Sequence, residues 1–290
     1  MQALNIQGSL ASATDGMNVA MKRMSTGFKI NQASDDAAGM AVSTNMETQI
    51  SGASVAYQNA QIGSNLLSTA EGTLNVVQKN VQRIRDLVEQ SANGSSSQEA
   101  KTAARTEIIQ RRDEINRQTS GTTFNKVSLF SASGAGVNGI DLQVGSGKDY
   151  ATNVINLNSS VFAAADLSSL GITTAAINLV LGDANGANAS AAGSALQGSI
   201  TALLGQADTA LTNVSNRKTT IGALQNRLSS AMEGLTVQKT NLTAANSTIK
   251  DADIAEESAS YVKNQILQSA SASLLSQANS QPQIALKLIG

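Results

Sequence analysis

Four stretches of this 290-residue chain carry residue types that could do chemistry. Ser215-Asn-Arg-Lys218 spells Ser-x-x-Lys, in which a lysine amine can draw the proton from a nucleophilic serine during acyl transfer. Gly134 to Gly139, GAGVNG, has the glycine spacing that lets a backbone approach a pyrophosphate. Asp251 and Asp253 put two carboxylates at the spacing that opens a calcium loop. QRIRDL, residues 82 to 87, sets Arg83 and Arg85 in a run with helical periodicity. The chain has no Cys and no His, which removes thiolate nucleophiles, disulfides, the usual zinc ligands and the commonest general base.

Each stretch depends on the element that must hold it. Ser-x-x-Lys falls inside a long heptad run with Lys218 on the seam, where a polar residue fixes register rather than activating a serine. A dinucleotide fingerprint needs a helix after its glycines, but IDLQVG follows and reads as a strand, so GAGVNG is expected to be a hairpin loop. The aspartates lack the glycine and the closing glutamate of a calcium loop and are read as a helix cap. For Arg83 and Arg85 the residues alone favour a solvated helix face.

The elements themselves are mostly helices. Leu10, Met17, Met21, Met24 and Phe28 recur at steps of three, four or seven. Ile62, Leu66, Ala70, Leu74, Val77, Val81, Ile84 and Val88 carry a second run, broken by SANGSSSQ at 91 to 98. A third runs from about Glu99 to Arg117 with Ala104, Ile108 and Ile115 inward. TFNKVSLF, GIDLQVG and NVINLN are short, bounded by Gly, Ser and Asn, and read as strands. Residues 181 to 195 are small and polar and read as a surface loop. Ile200, Leu204, Ala207, Leu211, Val214, Ile221, Leu228, Met232, Leu235, Leu242 and Ile249 then share one heptad lattice with the polar Lys218, Gln225, Lys239 and Asn246. A last helix is expected from Ile254 to the only proline, Pro282.

Two acidic joints punctuate this plan. In KINQASDDAAG, residues 29 to 39, Gly27 can close the preceding helix, Ser34 or Asp35 can cap the next, and Asp36 faces its positive end. KDAD, residues 250 to 253, repeats the device. The expected class is mainly α, a long antiparallel helical coiled-coil bundle formed by the N- and C-terminal halves, with a small central β-hairpin region. Aromatics are 2% of residues, so burial falls to Leu, Ile, Val, Met and Ala, which suits thin helix-on-helix packing. A net charge of −1 leaves no basic footprint for nucleic acid. No apolar run is long enough to insert in a membrane, and the start lacks the basic and apolar regions of a signal peptide.

RMSTGFKINQASDDAAG (23 to 39), QRIRDLVEQSAN (82 to 93), EIIQRRDEI (107 to 115), IGALQNRL (221 to 228), NLTAANSTIKDADIAEE (241 to 257) and QILQSASASLLSQANSQPQ (265 to 283) resemble bacterial flagellin. FN at 124 and 125, LQVG at 142 to 145 and the ending ALKLIG are similar to it as well. The resemblance implies an exported, non-enzymatic subunit that self-assembles into the extracellular flagellar filament, with no cofactor. It implies inner-tube helices at 1–35 and 250–290, joined through Ser34, Asp35, Asp36, Asp251 and Asp253 to an outer-tube domain at 36–249. Hairpins are expected at about 122–180, and the variable loop at 181–195 replaces the outer domains of longer relatives. The family's opening Ile-Asn-Thr-Asn stretch would precede MQALNIQG, so this sequence is expected to begin inside the pattern.

The implied partners are further copies of the chain, an export chaperone on residues 254 to 281, and cap and junction proteins. Gln82, Arg83, Leu87, Gln90, Glu107 and Arg111 match the surface read by Toll-like receptor 5, and Leu286, Leu288 and Ile289 the residues read by inflammasome receptors. Arg83 and Leu87 are four apart, hence on one helix face, and an Arg beside an apolar group suits an interface. In the filament that face is expected to meet a neighbouring subunit first. A hook–filament junction protein is the second reading, but such proteins match QRIRDL and QNRL poorly. A generic coiled-coil adaptor would not need the hairpins.

Overall fold

The computed structural model describes residues 2–93, 96–130, 139–166, 168–181 and 194–289; the side chains of 2, 3, 174, 179, 194–196 and 281–289 are not among those described. Helices α1 (Gln2–Thr26), α2 (Ala37–Ala92) and α3 (Gln98–Gly121) lead into a two-residue ribbon, β1 (Thr123–Phe124) and β2 (Val127–Ser128). Strand β3 (Ile140–Gln143), helix α4 (Tyr150–Asn153), strand β4 (Val154–Leu157), and helices α5 (Ser159–Phe162) and α6 (Thr174–Leu181) follow. Two long helices close the chain, α7 (Ser194–Lys250) and α8 (Ile254–Ile289). The mainly helical class with antiparallel end-to-end pairing and a small β region is as expected. Helix α8 runs on past Pro282, where the sequence reading ended it, to Ile289.

Contacts divide the chain into two units, 1–51 with 237–290, and 52–236. The first contains the antiparallel pair α1 and α8. Their seam on α1 is Ile6, Leu10, Ala13, Met17, Ala20 and Met24, at alternating steps of four and three, with Ala13 and Ala20 buried and the rest half-buried. Register is set by Gln268 Nε2 donating to Thr14 Oγ1 (3.1 Å), Arg23 to Glu257 (2.9 Å), and Gly16, where any Cβ would come 2.7 Å from Asn264 Nδ2. Met21 and Phe28, expected on the apolar stripe, are exposed instead. They sit beside the six-residue seam rather than on it.

The second unit contains the core. Antiparallel α2 and α7 bury Leu67, Leu74, Val81 and Ile84 against Ala207, Val214, Ile221 and Leu228, and α3 adds Ile108 and Ile115. Polar seam residues pair as layers: Lys218 Nζ donates to Gln78 (2.9 Å), and Gln225 Nε2 to Glu71 (3.4 Å). Leu203, Ala210 and Leu224 are buried although the heptad lattice omits them, while its Leu204, Leu211 and Met232 are only half-buried. The lattice describes a two-helix seam, but α7 is also covered by other elements, so its buried stripe is wider.

The segment at 139–181 folds over these helices. Strands β3 and β4 pair antiparallel, with Leu142 opposite Ile155. They seat on α2 where glycines leave room: a Cβ on Gly63 would come 2.1 Å from Leu142 Cδ1, and one on Gly52 2.7 Å from Ser146 Cβ. Asn59, on the same helix face, donates to the Gln143 carbonyl (3.1 Å). Arg217 on α7 donates to the Ala163 and Ala164 carbonyls (2.7 and 3.3 Å), and burial pushes its guanidinium pKa down. Helices α4 to α6 have no counterpart in the sequence reading, since four to eight residues are too few to show a period. The loop expected at 181–195 falls almost wholly outside the described residues.

Candidate functional site

In the first unit the two acidic joints meet. Helix α1 ends at Gly27, whose φ of +75° and N–H to the Arg23 carbonyl (2.8 Å) make a left-handed cap. The chain then pairs with the second joint: Lys29 N–H donates to the Lys250 carbonyl (2.7 Å), and Ala252 N–H to the Gly27 carbonyl (2.9 Å). Phe28 and Asp251 thus face each other in a one-residue antiparallel bridge. Lys250 lies 4.7 Å above the Phe28 ring and binds Glu47 (2.6 Å), which holds that carboxyl below its ordinary pKa.

Each aspartate has its own task. Asp36 is the N-cap of α2, accepting Gly39 N–H (2.9 Å) while its carbonyl accepts Met40 N–H (3.0 Å). This corrects the expectation that Ser34 or Asp35 caps the helix. Asp35 turns back on its own loop and accepts the N–H groups of Asn31 and Gln32 (3.0 Å each). Those bonds, Asn31 foremost, hold its carboxyl below the ordinary value. Ser34 is exposed in the turn. Asp253 caps α8 through Ala255 N–H (2.8 Å), and Asp251 accepts the Ser247 hydroxyl (2.5 Å). Asp253 is spent on capping, as read from the sequence, whereas Asp251 accepts a side-chain hydroxyl and caps no helix.

In the second unit, α2 and α3 run antiparallel with a polar strip between them. Arg83 clamps Glu107 with two bonds, Nε to Oε1 (2.8 Å) and Nη2 to Oε2 (3.1 Å). Arg111 joins the same carboxylate (3.4 Å) and reaches Asn80 (3.3 Å). The Arg83 hydrogen bond lowers the Glu107 pKa, and Glu107 raises that of Arg83. Arg83, Leu87, Gln90 and Glu107 line one groove of about 290 Å³, floored by Ala104 and flanked by Lys101. Leu87 is 3% exposed, so it is the floor of the groove rather than a projecting anchor. Gln82 is exposed on α2 outside that groove, and Arg111 lies in the next depression along α3. Arg85 turns elsewhere, to Asp208 (2.7 Å) and Glu89 (3.0 Å). Leu286, Leu288 and Ile289 lie in the helical backbone of α8, but their side chains are outside the described residues.

The sequence's enzyme-like motifs stay dispersed. Lys218 is engaged with Gln78 in the helix seam, and Ser215 is exposed. Gly139, with φ +73°, leads into β3 and not a helix; Gly134 to Asn138 lie outside the described residues. Among the described residues no helix is long and apolar enough to cross a membrane.

Family models match at both ends of the chain: the bacterial flagellin N-terminal helical region over residues 1–135, and the bacterial flagellin C-terminal helical region over 204–289. The chain belongs to the bacterial flagellin family. Its function is that of a structural subunit of the flagellar filament. It is 36% identical to a flagellin of Bacillus subtilis, over 99% of this chain and 97% of that one. It is 34% identical to a flagellar filament core protein of Brachyspira hyodysenteriae, over 100% and 98% of the two chains. The fold is shared, at a TM-score of 0.60 and 20% identity, with a protein assigned as hook-associated in Vibrio parahaemolyticus; 75% of this flagellin and 100% of that chain are covered. The segment that seats on Gly52 and Gly63 lies between the two family matches.

Proposed function

We propose that this flagellin is exported and self-assembles through the α1–α8 pair, which neighbouring copies cover in the filament. The observation that carries this reading is the way α8 is turned. Its half-buried or buried seam is Tyr261, Asn264, Gln268, Ser271 and Leu275. Most of the described bulky aliphatic side chains point away: Val262, Ile266, Leu267 and Leu274 are 50, 63, 45 and 57% exposed. A helix that buries amides and exposes aliphatic groups has its stronger face unsatisfied, as an assembly surface does. Leu4 and Val19 extend the exposed apolar area on α1. Residues 1–35 and 250–290 then act as inner tube and residues 36–249 as outer tube, with the paired acidic joints at 27–36 and 250–253 as the connection. The chain acts as a scaffold and not as an enzyme.

The Arg83–Glu107 strip on α2 and α3 is proposed as a lateral subunit contact that Toll-like receptor 5 reads on released monomers. An export chaperone covers 254 to 281 before assembly. The test is sedimentation of purified chain in polymerising salt. The parent is expected to pellet, and Ile266→Asp to stay soluble with its helical content kept. Ordered filaments from Ile266→Asp refute the assignment of this face.

A further inference from the structure

We infer that Met17 and Met24 form an oxidation-sensitive site that controls whether the chain can assemble; this rests on the self-assembly reading above. The chain has seven Met and no Cys, Trp or His, so thioethers are its readily oxidised side chains. Three of them, Met17, Met21 and Met24, lie within two turns of α1, and they are not equivalent. Met17 and Met24 are seven residues apart on the seam, on either side of buried Ala20, and both are half-buried. Met24 Sδ accepts a hydrogen bond from the Ser258 hydroxyl of α8 at 3.3 Å. Met21 lies off the seam and is 48% exposed.

A peroxide or hypochlorite supplies the oxygen. With hydrogen peroxide, the Met24 sulfur lone pair attacks one peroxide oxygen, the O–O bond breaks, and proton transfer releases the other oxygen as water. The sulfur loses two electrons and becomes the sulfoxide. The new S=O is polar and larger than the thioether, and on the seam it must be accommodated between α1 and α8. That seam has little to lose. Its large groups on α1 are Ile6, Leu10, Met17 and Met24, and on α8 the polar or small Asn264, Gln268 and Ser271 separate the larger Tyr261 and Leu275. Oxidising two of the four larger apolar groups on α1 removes much of the apolar contact that pairs the helices. Oxidation of Met21 leaves the seam intact.

The expected effect is roughly a tenfold weaker α1–α8 docking per seam sulfoxide. The experiment treats monomer with hydrogen peroxide, assigns each sulfoxide by peptide mass, and measures pelletable polymer beside untreated chain, Met21→Leu and the double variant M17L/M24L. Untreated chain should pellet, and each variant is read against its own untreated sample. Oxidised parent and oxidised Met21→Leu should stay in the supernatant until a methionine sulfoxide reductase restores them, while oxidised M17L/M24L pellets normally. Equal pelleting of parent oxidised at both Met17 and Met24 overturns the inference and leaves self-assembly standing. Loss of pelleting by oxidised M17L/M24L also overturns it, because another methionine is then responsible. If untreated parent fails to pellet, the assembly reading falls and takes this inference with it.

Discussion

Two glycines on one helix give opposite predictions for the same substitution. Gly63 and Gly72 both lie inside α2, where alanine is favoured over glycine by about 1 kcal/mol of helix propensity. Around Gly72 nothing lies within 4 Å of an added Cβ, so Gly72→Ala should realise most of that gain. At Gly63 the Cβ would come 2.1 Å from Leu142 Cδ1 and 3.3 Å from Cγ. Carbon contacts settle near about 3.5–4.0 Å, so the tip of Leu142 must retreat by more than 1 Å. Leu142 is 9% exposed and locked opposite Ile155 in the β3–β4 ribbon, so the shift passes into the strand. Overpacking of this kind costs about 1–3 kcal/mol, which exceeds the propensity gain. Gly63→Ala is therefore expected to be destabilising by up to about 2 kcal/mol. Urea unfolding followed by far-UV circular dichroism reads both signs. Adding Leu142→Ala removes the clashing carbon, so the double variant should lose less than the two single losses summed. If Gly63→Ala stabilises as much as Gly72→Ala, the argument that these glycines seat the ribbon is wrong.

Other consequences are equally direct. Asp36→Ala should cost about 1 kcal/mol as a lost N-cap, whereas Ser34→Ala should be silent in the same urea titration; a reversed order would restore Ser34 as the cap. Glu47 and Glu107 have folded-state pKa values below their ordinary 4.5, so the unfolded chain takes up their protons first. The stability they add is complete above that value and drains as pH falls through the folded pKa, so the urea midpoint should drop below about pH 5. Glu107→Gln should flatten that drop, and a midpoint that rises on acidification would contradict the linkage. Arg83→Ala should reduce signalling by monomer in a Toll-like receptor 5 reporter assay while leaving the fold intact; signalling equal to the parent would remove Arg83 from that surface.

The sequence by itself determined the helices, their partners in broad outline, and the two joints. Long runs at steps of three and four leave a chain poor in aromatics one way to bury its stripes, which is to lay one helix along another. Capping is also local: Gly27, Asp36 and Asp253 act on backbone groups within four residues, so their types announce turns without any knowledge of the fold. Which aspartate caps was not legible, because Asp35 and Asp36 offer the same carboxylate, and the loop's course decides which one meets the free N–H groups. Tertiary structure alone decided which apolar residues are buried. Met21 and Phe28 fit the period yet are exposed, and Leu203 and Leu224 break the lattice yet are buried, because burial depends on how many neighbours surround a helix. It also placed Arg217 beneath the Ala163 and Ala164 carbonyls and brought Arg83 to Glu107 across a turn. Those pairings join residues far apart in the chain, and one-dimensional periodicity carries no information about which two faces meet.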